Sequence, residues 1–167
     1  MDGSEILAEA ARLRARKEDV VDVDEERVKL VVFYLGGDLF AFHGSDVREI
    51  LAPMRIFPVP GSPEHILGVI NVRGDIESVV SINRFFGLPP AEPTPKSRIP
   101  IAEKGGIRSG ILVDGVFDVV DFPVASISPP LATLDRSWRD LVAGETALGG
   151  AGVTLLDLGE ILRRLAP

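Results

Sequence analysis

Paired turn residues break this chain into short apolar pieces, and that punctuation limits its fold more than any other feature. Gly36-Gly37, Gly105-Gly106 and Gly149-Gly150 each stand between stretches rich in Val, Ile, Leu and Phe. Arg73-Gly74-Asp75 and Asp114-Gly115 hold equivalent places. Adjacent glycines permit the positive φ values that tight hairpin turns need, and Asp-Gly between apolar runs is a strong hairpin signal. The pieces are too short for long amphipathic helices. Many short strands with closely spaced turns imply an all-β barrel or sandwich rather than a doubly wound fold.

The expected strands cover residues 28–35, 39–42, 66–72, 76–82, 98–102, 107–113, 116–124, 141–148 and 153–156. Residues 45–51 suit a short helical turn or a bent strand. Pro53, Pro58, Pro60 and Pro63 cannot occupy a central strand, because each lacks the N–H a ladder requires, so this segment is expected to cross the surface. Residues 83–88 form one helical turn ended by Gly87 and Pro89-Pro90, and a polar loop over 89–97 leads to the second half. Leu158, Ile161, Leu162 and Leu165 share one face of a closing helix. The strand–turn–strand units around Gly36-Gly37 and Asp114-Gly115 echo one another, as two similar small barrels would. At the other end, Ser4 is placed to cap a helix whose stripe is Ile6, Ala10 and Leu13, and the acidic stretch 18–26 follows as a solvated linker.

Composition narrows the function. Hydrophobic residues make up 46% of the 167, enough for a sizeable core without staples, and the absence of cysteine excludes disulfides and thiolate metal sites. A formal charge of −7 argues against nucleic acid, since the one basic cluster, Arg12 to Lys17, is followed at once by acids. The N-terminus lacks a secretory pattern, and no apolar run approaches a bilayer-spanning length; the expected location is the cytoplasm, without membrane insertion. Two histidines, His43 and His65, stand apart from any metal-like or triad spacing, so both are expected to be structural. Asp75 with Glu77, and Asp118 with Asp121, are better explained as acids that keep strand edges soluble than as catalytic or metal-binding pairs. Gly149-Gly150-Ala151-Gly152 precedes a strand, whereas a phosphate cradle follows a strand and opens a helix. No catalytic residue, metal or cofactor is expected.

The segment Gly68-Val69-Ile70-Asn71-Val72-Arg73-Gly74 resembles the signature of CheW-type adaptors. Val31 to Gly36, Val47-Arg48-Glu49-Ile50, Ile111 to Val116 and Leu155-Leu156-Asp157-Leu158 resemble other family elements in the same order. The resemblance runs from about residue 28 to 165. It implies two small five-stranded SH3-like barrels packed about a shared apolar seam, with short helices at both termini. Residues 1–27 would then be an N-terminal helix and acidic linker, and 28–167 the CheW-like domain. It also implies a non-catalytic scaffold that couples the cytoplasmic tip of a chemoreceptor to the regulatory domain of a CheA-type histidine kinase. By resemblance the receptor surface includes Val47, Glu49, Gly68, Arg73 and Ile99, while Gly36, Gly37, Gly74, Asp114 and Gly115 shape turns. Where the family usually carries an apolar residue, a proline and an aspartate after Arg-Gly, this chain has Glu77, Ser78 and Ser81. That departure motivates an alternative, a module that has lost one partner or serves a pathway other than motility.

Overall fold

The computed structural model describes residues 3–19 and 25–166. After helix α1 (Gly3–Asp19) come strands β1 (Arg27–Leu35), β2 (Asp38–His43), β3 (Val47–Leu51), β4 (Ile66–Val72) and β5 (Asp75–Val80). They continue as β6 (Ile99–Lys104), β7 (Ile107–Ile111) and β8 (Gly115–Pro123), then the single turn α2 (Arg136–Arg139). β9 (Val142–Leu148), β10 (Ala151–Leu156) and helix α3 (Leu158–Leu165) complete the order. Both expectations for residues 45–51 are realised in sequence, because a 3-10 turn over Gly44–Asp46 runs directly into β3.

The strands form two five-stranded sheets, ordered β8-β1-β2-β10-β9 and β3-β6-β7-β5-β4. Each curls toward closure through an extra bridge, Ser128 with Glu145 in the first and Phe57 with Val69 in the second. Four two-residue turns join antiparallel neighbours. Gly36-Gly37, Gly105-Gly106 and Gly149-Gly150 all have both residues at positive φ, as turns that follow the right-handed twist of strands require. The fourth is Arg73-Gly74.

The division into halves differs from the sequence expectation. The second barrel, β3 to β7, is inserted whole within the first, and the loop over 89–97 connects β5 to β6 inside it. Asp114-Gly115 therefore closes no hairpin, since β7 belongs to one sheet and β8 to the other. Gly115 is not at positive φ, and the dipeptide is a crossover between barrels. Asp114 still shapes a turn at a distance. Its Oδ2 accepts from Gly36 N–H at 2.8 Å, and its own N–H donates to Tyr34 O at 3.0 Å, tying the crossover to the β1–β2 hairpin.

Three apolar clusters hold this together. One fills the first barrel with Leu30, Val32, Leu39, Ala41, Val120 and Phe122; another fills the second with Ile70, Val72, Val79, Ile99 and Ile101. The largest lies between them. There Phe33, Phe40, Phe42 and Leu156 meet Val80, Ile82, Ala102 and Ile111 from the other barrel, with the buried face of α3 laid over the seam. Strands β1 and β2 are thus covered on both faces, which explains why they are nearly continuous apolar runs and not alternating ones. The seam extends outward through Phe86 to Trp138 of α2, whose rings meet edge to face at 5.0 Å.

Both terminal helices are docked. Asp157 caps α3 by accepting from Glu160 N–H at 3.0 Å. In α1, Ala10 is buried and Ile6 half-buried against the first barrel's cluster, whereas Leu7 faces outward. Ser4 lies within the first turn rather than ahead of it. The side chain of Leu13 and residues 20–24 of the acidic stretch are outside the described positions.

Candidate adaptor interface

The site begins with an uncommon backbone conformation at Arg73. It is the one non-glycine residue at positive φ among the described residues, at 51°, and it shares its turn with Gly74 at 92°. For an L-residue that conformation costs roughly 1–2 kcal/mol. Asn71 helps to hold it, because its Oδ1 accepts from Gly74 N–H at 2.8 Å and closes the turn from inside. Three other hairpins meet the same geometric demand with two glycines.

That side chain stands out from the turn between β4 and β5. Arg73 Nη2 donates to Glu49 Oε1 at 2.6 Å, with the arginine side chain 72% exposed and the glutamate 28%. The bond to Glu49 raises the Arg73 pKa above the ordinary guanidinium value, so the charge is permanent. Beside it, Arg108 bridges Glu77 at 2.8 Å and Glu103 at 3.1 Å, and Arg48 reaches Glu103 at 3.4 Å. The hydrogen bond from Arg108 holds the Glu103 carboxyl below its usual range. Alternating charges therefore form a rim across β3, β6, β7 and β5 of the second barrel.

Next to this rim a groove of about 670 Å³ runs between the barrels. Val28, Val31 and Val119 line it from β1 and β8, and Val47, Glu49 and Ile50 from β3. Arg27, Lys29 and Arg48 stand along it as well. An apolar cleft flanked by charges of both signs suits an amphipathic helical segment, whose apolar stripe fills the floor while its polar flanks meet the edges.

The five residues expected at the receptor surface fall into two groups. Val47, Glu49 and Arg73 come together along the groove and rim. Gly68 and Ile99 do not present side chains there. Gly68 is at φ 148°, and a Cβ on it would collide with the Phe57 carbonyl oxygen, so its task is to let the crossover segment pair with β4. Ile99 is 1% exposed in the second barrel's core, where it supports β6 from within. Among the turn residues, Gly36, Gly37 and Gly74 occupy positive-φ positions. Val28 and Val119 were placed only within expected strands, and Ile50 only within the Val47-Arg48-Glu49-Ile50 element; none of the three was expected at a partner surface.

Comparison with known proteins now adds the deciding observation: the CheW-like domain family matches residues 29–166, nearly all of the chain. The chain belongs to the CheW-like domain family. Chemotaxis protein CheW of Rhizobium meliloti is 30% identical over 133 residues, 80% of this chain and 86% of that protein. Protein FrzA of Myxococcus xanthus is 29% identical over 129 residues, covering 76% and 81%. The crystal structure of scaffolding protein TtCheW from Thermoanaerobacter tengcongensis superimposes with a TM-score of 0.69 at 31% identity, over 79% of this chain and 90% of that one.

Within this CheW-like chain the departures at Glu77, Ser78 and Ser81 have local explanations. Glu77 is the partner of Arg108. Ser78 Oγ and Ser109 Oγ are 2.9 Å apart across β5 and β7, so the pair replaces apolar contact with a hydrogen bond. Ser81 is buried, and its Oγ accepts from Asn83 N–H at 3.3 Å at the start of the 3-10 turn Asn83–Phe86. The hydroxyl thus makes a local bond to the backbone two residues on, as an aspartate side chain also can. None of the three alters the groove. The reading in which one partner has been lost is not favoured.

Proposed function

We propose that this CheW-like chain is a non-catalytic coupling scaffold that seats the helical tip of a chemoreceptor in the inter-barrel groove and holds the regulatory domain of a CheA-type kinase on a second surface. The observation that carries the first half is Arg73, a strained arginine beside an apolar groove. Backbone strain of this kind persists where the side chain it presents is needed. Val47, Ile50 and Val119 supply apolar contact, and the Glu49–Arg73 pair supplies a fork able to hydrogen-bond acids or carbonyls on a helix.

The second surface is the outer face of the β4–β5 hairpin and its neighbouring segment. Ile76 is 65% exposed and Phe57 45%, with Asn71 between the apolar positions. Exposed apolar side chains gathered on one face are what the core of a protein interface is made of, with polar residues at its rim. Such a scaffold needs no reaction chemistry and no cofactor, and it works in the cytoplasm, where receptor tips and kinases meet. Among the described residues no helix is long and apolar enough to cross a membrane.

Calorimetric titration with a receptor-tip fragment and, separately, with the kinase regulatory domain tests both halves. Truncating a central interface arginine costs roughly thirtyfold in affinity, so Arg73→Ala is expected to weaken receptor binding by that factor and leave kinase binding unchanged. Ile76→Asp is expected to do the reverse. Receptor affinity indifferent to Arg73 removes the groove assignment, and kinase affinity indifferent to Ile76 removes the hairpin face.

A further inference from the structure

The crossover ahead of β4 carries an arginine that none of the features described above uses. Met54 and Ile56 pack inward against the second barrel's cluster, and the residues that alternate with them, Arg55 and Phe57, are exposed. Phe57 is firmly held, because its N–H donates to Val69 O at 2.8 Å and its O accepts from Val69 N–H at 2.9 Å. Residues paired across antiparallel strands share a face, as do residues two apart along one strand. Phe57 and Val69, with Asn71 and Ile76, therefore stand on the same side of the β4–β5 hairpin.

Arg55 Cζ lies 4.6 Å from the centroid of the Phe57 ring. The ring attracts the cation but supplies no oxygen for its N–H donors. Elsewhere on this barrel Arg48, Arg73 and Arg108 each hold a carboxylate. Arg55 has no ion pair among the described residues. Its apolar neighbours Phe57, Val59 and Ile76 are exposed, so a partner that covers them also strips water from the guanidinium. A charge desolvated in that way is costly unless the partner pairs it, and a carboxylate matches both its sign and its planar fork of donors.

We propose that Arg55 is a specificity-determining residue of the face assigned above to the kinase regulatory domain, selecting a partner surface that sets a carboxylate beside an apolar patch. The inference rests on that assignment and adds to it the chemistry the partner must bring. The contact with Phe57 restrains the long arginine side chain before the partner arrives, so less freedom is lost when the ion pair forms.

Calorimetric titration of the full chain with the kinase regulatory domain, at low and at high salt, tests this, with Ile76→Asp as the separate probe of the face itself. Arg55→Met keeps an unbranched apolar side chain against Phe57 but removes the charge and the donors. It is expected to weaken binding by about tenfold at low salt, the scale of one charge-assisted hydrogen bond, while the thermal midpoint stays that of the parent. Salt screens such a contact, so the gap between Arg55→Met and the parent is expected to narrow as salt rises. Arg55→Lys, which keeps the charge without the fork, is expected to recover part of the affinity. Arg55→Glu sets like charges together and is expected to bind most weakly and to gain affinity with salt. Loss of binding in Ile76→Asp with Arg55→Met equal to the parent overturns the inference and leaves the face assigned. A loss in Arg55→Met that is the same at every salt concentration and is not recovered by lysine also overturns it, by reducing Arg55 to a support for the Phe57 ring. Binding unchanged in both Ile76→Asp and Arg55→Met removes the face, and the inference with it.

Discussion

Arg73→Gly separates the cost of the signature turn from its use. The residue is held at φ 51°, where an L-side chain is strained by roughly 1–2 kcal/mol. Glycine relieves that strain but has more freedom to lose on folding, which returns about 0.4–1 kcal/mol. The lost contact with Glu49 adds little, because the arginine is 72% exposed and surface ion pairs are screened. The net expectation is a protein more stable by about 0.5–1 kcal/mol, or roughly 2–4 °C in Tm per kcal/mol for a chain of this size.

Arg73→Ala is the matched control, since alanine keeps the strained backbone and loses the same guanidinium. Urea denaturation of the two variants and the parent reads the difference directly in the midpoint, provided the slope is unchanged. The glycine variant is expected to exceed the alanine variant by about 1 kcal/mol, while both lose receptor binding to the same degree. That combination, gained stability with lost binding, marks a residue retained for its partner. A glycine variant no more stable than the alanine one would falsify the claim that this turn stores strain, and with it the observation that carries the groove assignment.

Other substitutions probe the frame around the groove. Gly68→Ala forces a Cβ against the Phe57 carbonyl and endangers the two hydrogen bonds between Phe57 and Val69, at 2.8 and 2.9 Å. With backbone strain of about 1–3 kcal/mol and about 1 kcal/mol per bond, a loss of roughly 3–5 kcal/mol is expected in denaturant titration; a loss below about 1 kcal/mol refutes the close-approach role. Phe40→Ala opens the seam where its ring meets Phe86 at 4.9 Å and is expected to cost about 3–5 kcal/mol, lowering the thermal midpoints of both barrels together. Separate transitions for the two barrels contradict a shared core. Glu160 is held down to about 2 by hydrogen bonds first from Arg163 and then from Arg164. Its contribution to stability is therefore full above its ordinary value of 4.5 and is lost as pH falls from there toward about 2. Glu160→Gln is expected to flatten that part of the stability–pH curve and to converge with the parent near its lower end; parallel curves exclude the α3 ion cluster as an acid-sensitive element.

The elements of this fold were legible because they are local. Glycine pairs mark three of the hairpins, the proline-rich crossover is marked by missing donors, and α3 is marked by its apolar spacing. What could not be seen was the pairing between distant strands. β2 pairs in parallel with β10, and β5 with β7, across gaps no hairpin logic spans. The same limitation produced the error at Asp114-Gly115. A strong hairpin dipeptide describes what the local chain permits, and here β7 and β8 join different sheets instead. The interface was legible in the same partial way. Glu49 and Arg73 belong to recognisable motifs, but Val28 and Val119 become groove residues only when the first barrel is completed by strands from both ends of the chain.

This topology also bears on the seat proposed for the groove. One wall comes from β1 and β8 and the other from β3, and the chain crosses between barrels where the two meet: through Gly44–Asp46 into the second barrel and through Asp114-Gly115 back. The walls are therefore spaced by two covalent crossings as well as by the seam of Phe33, Phe40, Ile82 and Ile111 beneath them. Close-packed interiors transmit strain rather than absorb it, so a helix entering the groove cannot part the walls without disturbing that seam. The seam in turn carries α3 and, through Phe86, the Trp138 turn. The proposed two-partner scaffold relies on this property: each partner would meet a surface whose shape is set by the shared core and not by the other's arrival.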